Sequence, residues 1–134
     1  MAFNLEIMTP EREFFSGAVD SLVVNTPDGQ MGFLRDHSPI VVAVSPGEAT
    51  IREGTDSKKA LLSGGFLEMQ GDHAVILCDY ADWPEEIDEA RTRAEKAEAE
   101  ERLAKKLSQE EYILAQAALE RAIQRLKVAS RGIR

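Results

Sequence analysis

Cysteine and histidine are scarce in this chain, and each scarcity removes a class of function. A single cysteine, Cys78, among 134 residues excludes an internal disulfide framework. Within Ala74-Val75-Ile76-Leu77-Cys78 it reads as a small core residue rather than a nucleophile. His37 and His73 are the only histidines, so there is no Cys/His pattern for zinc. No Gly-x-Ser-x-Gly elbow occurs either, and neither catalytic residues nor a metal site are expected. No apolar run approaches the roughly 20 residues of a membrane-spanning helix; residues 40–44 and 75–78 are strand-sized. The opening Met1-Ala2-Phe3-Asn4-Leu5-Glu6 lacks the basic and apolar blocks of a signal peptide, so the expected compartment is the cytoplasm. A basic excess is also missing. With a formal net charge of -8, the chain is not expected to bind nucleic acid, which requires clustered cations.

Proline and glycine are missing from one region only. No proline follows Pro84, and Gly132 is the sole glycine after it. Residues 85–134 therefore read as two long helical runs, separated at Leu107-Ser108-Gln109. Before them, Gly, Pro, Asp and Asn recur between short apolar runs, the punctuation of an all-β domain. The predicted fold class is α+β: a β-sandwich or flattened barrel over residues 1–84, then an antiparallel two-helix hairpin over residues 85–134.

Charge divides at the same place. Residues 1–84 carry thirteen acids against five bases, whereas residues 85–134 carry eleven of each. From residue 121 onward the arm holds Arg121, Arg125, Lys127, Arg131 and Arg134 with no acid. Such an end suits an acidic docking surface. Complementation of the negative end of a helix dipole would explain several of these residues by itself.

In the β part, Phe3, Leu5 and Ile7 alternate with polar or small neighbours until Thr9-Pro10. Further strands are predicted at residues 19–25, 31–34, 40–44, 49–52, 60–63, 66–69 and 74–78. Thr26-Pro27-Asp28-Gly29 reads as a turn, and Arg35-Asp36-His37-Ser38-Pro39 as a polar loop. Gly64-Gly65 predicts a bulge or a close backbone approach. A hairpin is predicted across Gln70-Gly71-Asp72-His73.

In the arm, the first helix is predicted to begin near Asp82-Trp83-Pro84-Glu85, with proline in its first turn. Its apolar face would be Ile87, Ala90, Ala94, Ala97, Glu101 and Ala104. Ser108-Gln109-Glu110-Glu111 is a capping box. Tyr112, Ala115, Leu119, Ala122, Leu126 and Ala129 then form a seam at alternating three- and four-residue steps. Alanine offers little of the about 1.5–3 kcal/mol that a buried Leu-sized side chain contributes. Such a hairpin would be held closed weakly while each helix stays rigid.

These segments, taken together, resemble the epsilon subunit of bacterial and chloroplast F-type ATP synthases. The opening Phe3-Asn4-Leu5-Glu6-Ile7-Met8-Thr9-Pro10-Glu11-Arg12 is similar to that family's first strand. Gly32-Phe33-Leu34 with His37-Ser38-Pro39, Ser63-Gly64-Gly65-Phe66-Leu67-Glu68 and the two-helix tail follow in the family's order and spacing. The resemblance implies a non-catalytic rotor subunit on the cytoplasmic face of the cell membrane, associated with the membrane only through the complex. Its implied partners are the gamma subunit and c ring for the sandwich, and the alpha and beta subunits for an extended arm. Arg121, Arg125 and Lys127 would meet an acidic segment of the beta subunit and block ATP hydrolysis. Gln30, Gly32, Asp36 and His37 fall in the implied rotor-contact stretch, residues 30–39. An ordinary exposed loop histidine is the commoner reading of His37 alone.

The resemblance also implies ATP as a regulatory ligand of the folded arm. Ile87-Asp88-Glu89-Ala90-Arg91 matches the family's Ile/Leu-Asp-x-x-Arg motif, in which an apolar contact for the base and a cation for phosphate lie one turn apart. Arg121 and Arg125 are similar to the family's distal arginines, and Asp82 stands near its pre-helix glutamate. Thr92 and Glu98 depart from the usual alanine and arginine. Without nucleotide, Asp88 and Arg91 would form an exposed i,i+3 ion pair. A stand-alone adaptor whose hairpin binds another assembly is the second functional reading.

Overall fold

A computed structural model describes residues 2–132. Arg134, counted above among the terminal basic residues, lies outside the described residues, as does the side chain of Arg131. The chain forms two units, Met1–Trp83 and Pro84–Arg134.

The first unit is a sandwich of ten strands: β1 (Phe3–Met8), β2 (Glu13–Val19), β3 (Ser21–Thr26), β4 (Gly29–Phe33), β5 (His37–Val44), β6 (Gly47–Glu53), β7 (Asp56–Leu62), β8 (Gly65–Gly71), β9 (His73–Cys78) and β10 (Ala81–Asp82). One sheet has the order β2-β1-β9-β8-β5 and the other β10-β7-β6-β3-β4. Every pairing is antiparallel except β1 with β9. The two-residue period turns Phe3, Leu5 and Ile7 of β1 inward, where they share one buried cluster with Leu22, Ile51, Leu62, Leu67 and Ile76. Burying these aliphatic side chains, with few aromatics among them, supplies the main stabilisation of this unit.

The sequence reading places most strands correctly and misses three features. First, β2 was not predicted, and the expected strand at residues 19–25 begins at Ser21. The chain turns at Asp20 from one sheet into the other, so the stretch predicted as one strand is divided between two. A bulge between Ile7 and Met8 skips Phe14. Phe14 stacks on Trp83 with ring centroids 4.4 Å apart, and Phe15 meets the same ring edge-on at 6.3 Å. Second, the polar loop over residues 35–39 shrinks, because β5 begins at His37. Ser38 and Pro39 form a bulge opposite Gln70 between the pairs His37–Gly71 and Ile40–Met69. Proline is tolerated there because β5 is an edge strand and the bulge asks for no ladder N–H. Third, Gly65 is a regular β8 position without a bulge, paired to both Val44 and Cys78. The close-approach reading holds: a Cβ on Gly65 would collide with the Leu77 carbonyl oxygen.

Leaving β9, the chain is fixed by buried Ser63, whose Oγ accepts from Asp79 N at 2.8 Å and Tyr80 N at 3.2 Å. Short β10 then pairs with β7, and Trp83 closes the unit.

The second unit begins with a 3-10 turn at Pro84–Glu86 and continues as α1 (Glu89–Leu103) and α2 (Gln109–Gly132), packed against each other. Pro84 does sit in a helical turn, but that turn is not the start of α1. Asp88 caps α1, its extended backbone interrupting the path between the two. At the other end of the loop Ser108 behaves as expected. Its Oγ accepts from Glu111 N at 3.2 Å and donates to Glu111 Oε1 at 2.8 Å. The predicted face of α1 is wrong. Ala90, Ala94, Ala97, Glu101 and Ala104 are all exposed, while Thr92 and Ala99 are buried and Leu103 is half-buried. Alanines on every side leave the rotation of α1 to its larger groups, and Leu103 with Ala99 and Thr92 defines a different stripe. In α2, Ala115, Ala122 and Ala129 are buried and Leu119 and Leu126 half-buried as expected, but Tyr112 is exposed.

Candidate functional site

The arm carries the principal group of candidate side chains, and the N-terminus of α1 positions the first of them. Asp88 Oδ1 accepts from Arg91 N at 3.1 Å, so its carboxylate satisfies a helix-end donor. The expected side-chain pairing of Asp88 with Arg91 is replaced by this cap. Ile87, half-buried, lies before the cap and not one helical turn from Arg91. Thr92 turns its hydroxyl back to donate to Asp88 O at 2.7 Å. This bond tightens the first turn and keeps the hydroxyl on the helix side.

Arg91 leaves α1 exposed and pairs through Nε with Glu95 Oε1 at 3.2 Å. The other oxygen of the same carboxylate stands 4.0 Å from Arg125 Nη1 of α2. Thus two arginines predicted to share a phosphate converge across the hairpin on one carboxylate. Glu95 was missed by the sequence reading, although its i,i+4 spacing from Arg91 is a legible signal for an ion pair. Arg121 lies one turn before Arg125 and is exposed. Lys127 follows Arg125 by two residues, about 200° around the helix, and so faces away from that edge. Glu98 is exposed on α1, and Asp82 belongs to β10 of the sandwich.

The second candidate group lies at one end of the sandwich. Gln30 and Gly32 are exposed positions of β4, Gly32 within the predicted strand and Gln30 just before it. Asp36 occupies the left-handed region with φ 66 and donates its N–H to Gly71 O at 2.9 Å. His37 opens β5, with Nδ1 2.8 Å from Ser38 O and its ring 5.1 Å from that of Phe33. The fold therefore brings the β4–β5 connection beside the β8–β9 turn.

Nothing in either group assembles a nucleophile with a base. Burial pushes the Cys78 thiol above its ordinary range, only partly offset by Ser63, which disfavours the reactive thiolate. Among the described residues no cluster of His, Cys, Asp and Glu could hold a metal ion. No helix among them is long and apolar enough to cross a membrane.

Residues 2–84 match the beta-sandwich domain of the ATP synthase delta/epsilon chain, and residues 85–130 match the long alpha-helix domain of the same chain. The chain belongs to the ATP synthase delta/epsilon family. An ATP synthase epsilon chain of Caldanaerobacter subterraneus subsp. tengcongensis is 47% identical over 130 residues, covering 96% of this chain and 94% of that one. Its counterpart in Ruminiclostridium cellulolyticum is 46% identical over 129 residues, covering 96% of each. In fold, the family member described here is similar to a chain in the cryo-EM structure of the Euglena gracilis mitochondrial ATP synthase. That likeness has a TM-score of 0.70 at 24% identity and covers 89% of this chain and 76% of that one. A chain in the cryo-EM structure of the central stalk and c ring of the Tetrahymena thermophila mitochondrial ATP synthase gives a TM-score of 0.60 at 16% identity, covering 94% of this chain and 95% of that one.

Proposed function

We propose that this chain is a non-catalytic rotor subunit of an F-type ATP synthase, which helps couple rotation to ATP synthesis and restrains ATP hydrolysis through its helical arm. The observation that carries the reading is the family match, which runs through both the sandwich and the helices. The sandwich is the anchored part, held by gamma and the c ring. Its outer face offers surface for such contacts, since Phe66 and Leu77 pair across β8 and β9 and are both exposed. The stretch Gln30, Gly32, Asp36 and His37 is the proposed rotor contact. The arm is the regulatory part, and Arg121, Arg125 and Lys127 supply its cationic contact with the beta subunit in the catalytic head. The chain thereby belongs to the cytoplasmic face of the cell membrane as a peripheral component. Deleting residues 85–134 is expected to raise the ATPase activity of the assembled head; unchanged activity would remove the brake from this reading.

The arm in this reading binds ATP as a regulatory ligand and not as a substrate. Ile87 contacts the base, Arg91, Arg121 and Arg125 address phosphate, and Asp88 orders the start of α1. The convergence of Arg91 and Arg125 supports it, because two arginines from different helices suit a bridging anion. ATP at ten times its Kd would stabilise the folded arm by about 1.4 kcal/mol, enough to matter against an alanine seam. Calorimetry of the purified chain should therefore show ATP binding, weakened about tenfold in Arg91→Ala. No heat at millimolar ATP, or unchanged binding by the variant, would end the nucleotide reading.

A further inference from the structure

We propose that the Glu95 carboxylate is a ligand surrogate, bridging Arg91 and Arg125 where a phosphate of ATP would bridge them, so that ATP must displace it to bind. This inference rests on the nucleotide reading above and adds a regulatory element to it.

Three observations carry the proposal. Glu95 uses its two oxygens on different helices, Oε1 at 3.2 Å from Arg91 Nε and Oε2 at 4.0 Å from Arg125 Nη1. A bridging phosphate would make the same pattern of one anion addressed by two cations. Secondly, the three groups differ in freedom. The Arg125 side chain is 21% exposed, the Glu95 side chain 40% and the Arg91 side chain 80%, so the bridge is open to solvent and can exchange for a dissolved anion. Thirdly, both Arg91 and Glu95 stand on the capped first turns of α1, a rigid base that holds them one turn apart whichever anion is present.

The consequence is a self-limiting site. Glu95 carries one negative charge and a nucleotide's phosphates carry more, so phosphate wins the arginines at sufficient concentration. The same carboxylate then repels the incoming charge until it turns aside. It therefore raises the ATP concentration at which the arm responds while still linking α1 to α2 in the absence of ligand.

The test is calorimetric titration of ATP into the full chain, its Glu95→Gln variant and its Glu100→Gln variant, with circular dichroism confirming equal helix content. Glu100 is exposed on another side of α1 and controls for the change in net charge. The expected result is binding about two- to fivefold tighter in Glu95→Gln than in the unaltered chain, the range of a part-exposed ion pair, with little change in Glu100→Gln. Equal or weaker binding by Glu95→Gln, or an equal gain in both variants, overturns the surrogate and leaves the nucleotide reading standing. Absence of ATP binding by all three chains overturns both.

Discussion

The sandwich and the arm solve the same problem, burial of apolar surface, with different materials. Leu5, Ile7, Leu22, Leu62, Leu67 and Ile76 are essentially inaccessible in the sandwich, and each adds about 1.5–3 kcal/mol of transfer free energy. In the arm the buried residues are chiefly Ala99, Ala115, Ala122 and Ala129, with Val128 and Thr92. Alanine permits close helix packing but contributes little area. The sandwich is thus built to stay assembled around one cluster, whereas the arm keeps two stiff helices with a thin adhesive between them. That difference leaves the helical unit more weakly held together than the sandwich.

The comparison can be broken most directly by core truncation. Leu67→Ala should cost the sandwich about 2–5 kcal/mol, while Leu119→Ala on the half-buried α2 seam should cost about 1 kcal/mol. Urea denaturation followed by near-ultraviolet and far-ultraviolet signals would read the two effects, and equal costs would contradict the proposed contrast. The next effect belongs to the arm alone. Ser108→Ala removes the acceptor for Glu111 N and should destabilise the start of α2 by about 1 kcal/mol, read as faster amide exchange there with the sandwich unchanged.

The smallest effect is a pH dependence of the same cap. Hydrogen bonds from the Ser108 side chain, and then from its backbone, hold Glu111 below its ordinary value of 4.5. The folded form therefore prefers the ionised carboxylate, and this stabilisation is complete above 4.5. It is lost as pH falls through the lowered folded value. Amide exchange at the α2 N-terminus should rise in that acid range in the unaltered chain and show a smaller change in Ser108→Ala. An identical acid response in both would detach Glu111 from the cap.

Much of this architecture was legible because local chemistry decided it. Alternation in β1, the Thr26–Gly29 turn and the Ser108–Glu111 box each depend on a few neighbouring residues. The Arg91–Glu95 pair is equally local, since it rests on an i,i+4 spacing within one helix. Other features were not legible for a physical reason. The division of residues 19–25 at Asp20, the bulge at Ser38 and Pro39, and the start of α1 after Asp88 depend on which partner strand or turn competes for each backbone group. In α1 the sequence offers alanine on several faces with similar propensity, so no local signal selects one.

By itself, then, the sequence determined two kinds of element, their order, the boundary near Pro84 and the cationic composition of the last helix, because periodicity, capping and turn chemistry act over a few residues. Only the tertiary structure decided that Thr92, Ala99 and Leu103 turn inward, and that Arg125 meets Glu95. Those outcomes depend on the rotation of one helix against another, which is set by side-chain volume and charge across a gap that no stretch of sequence spans.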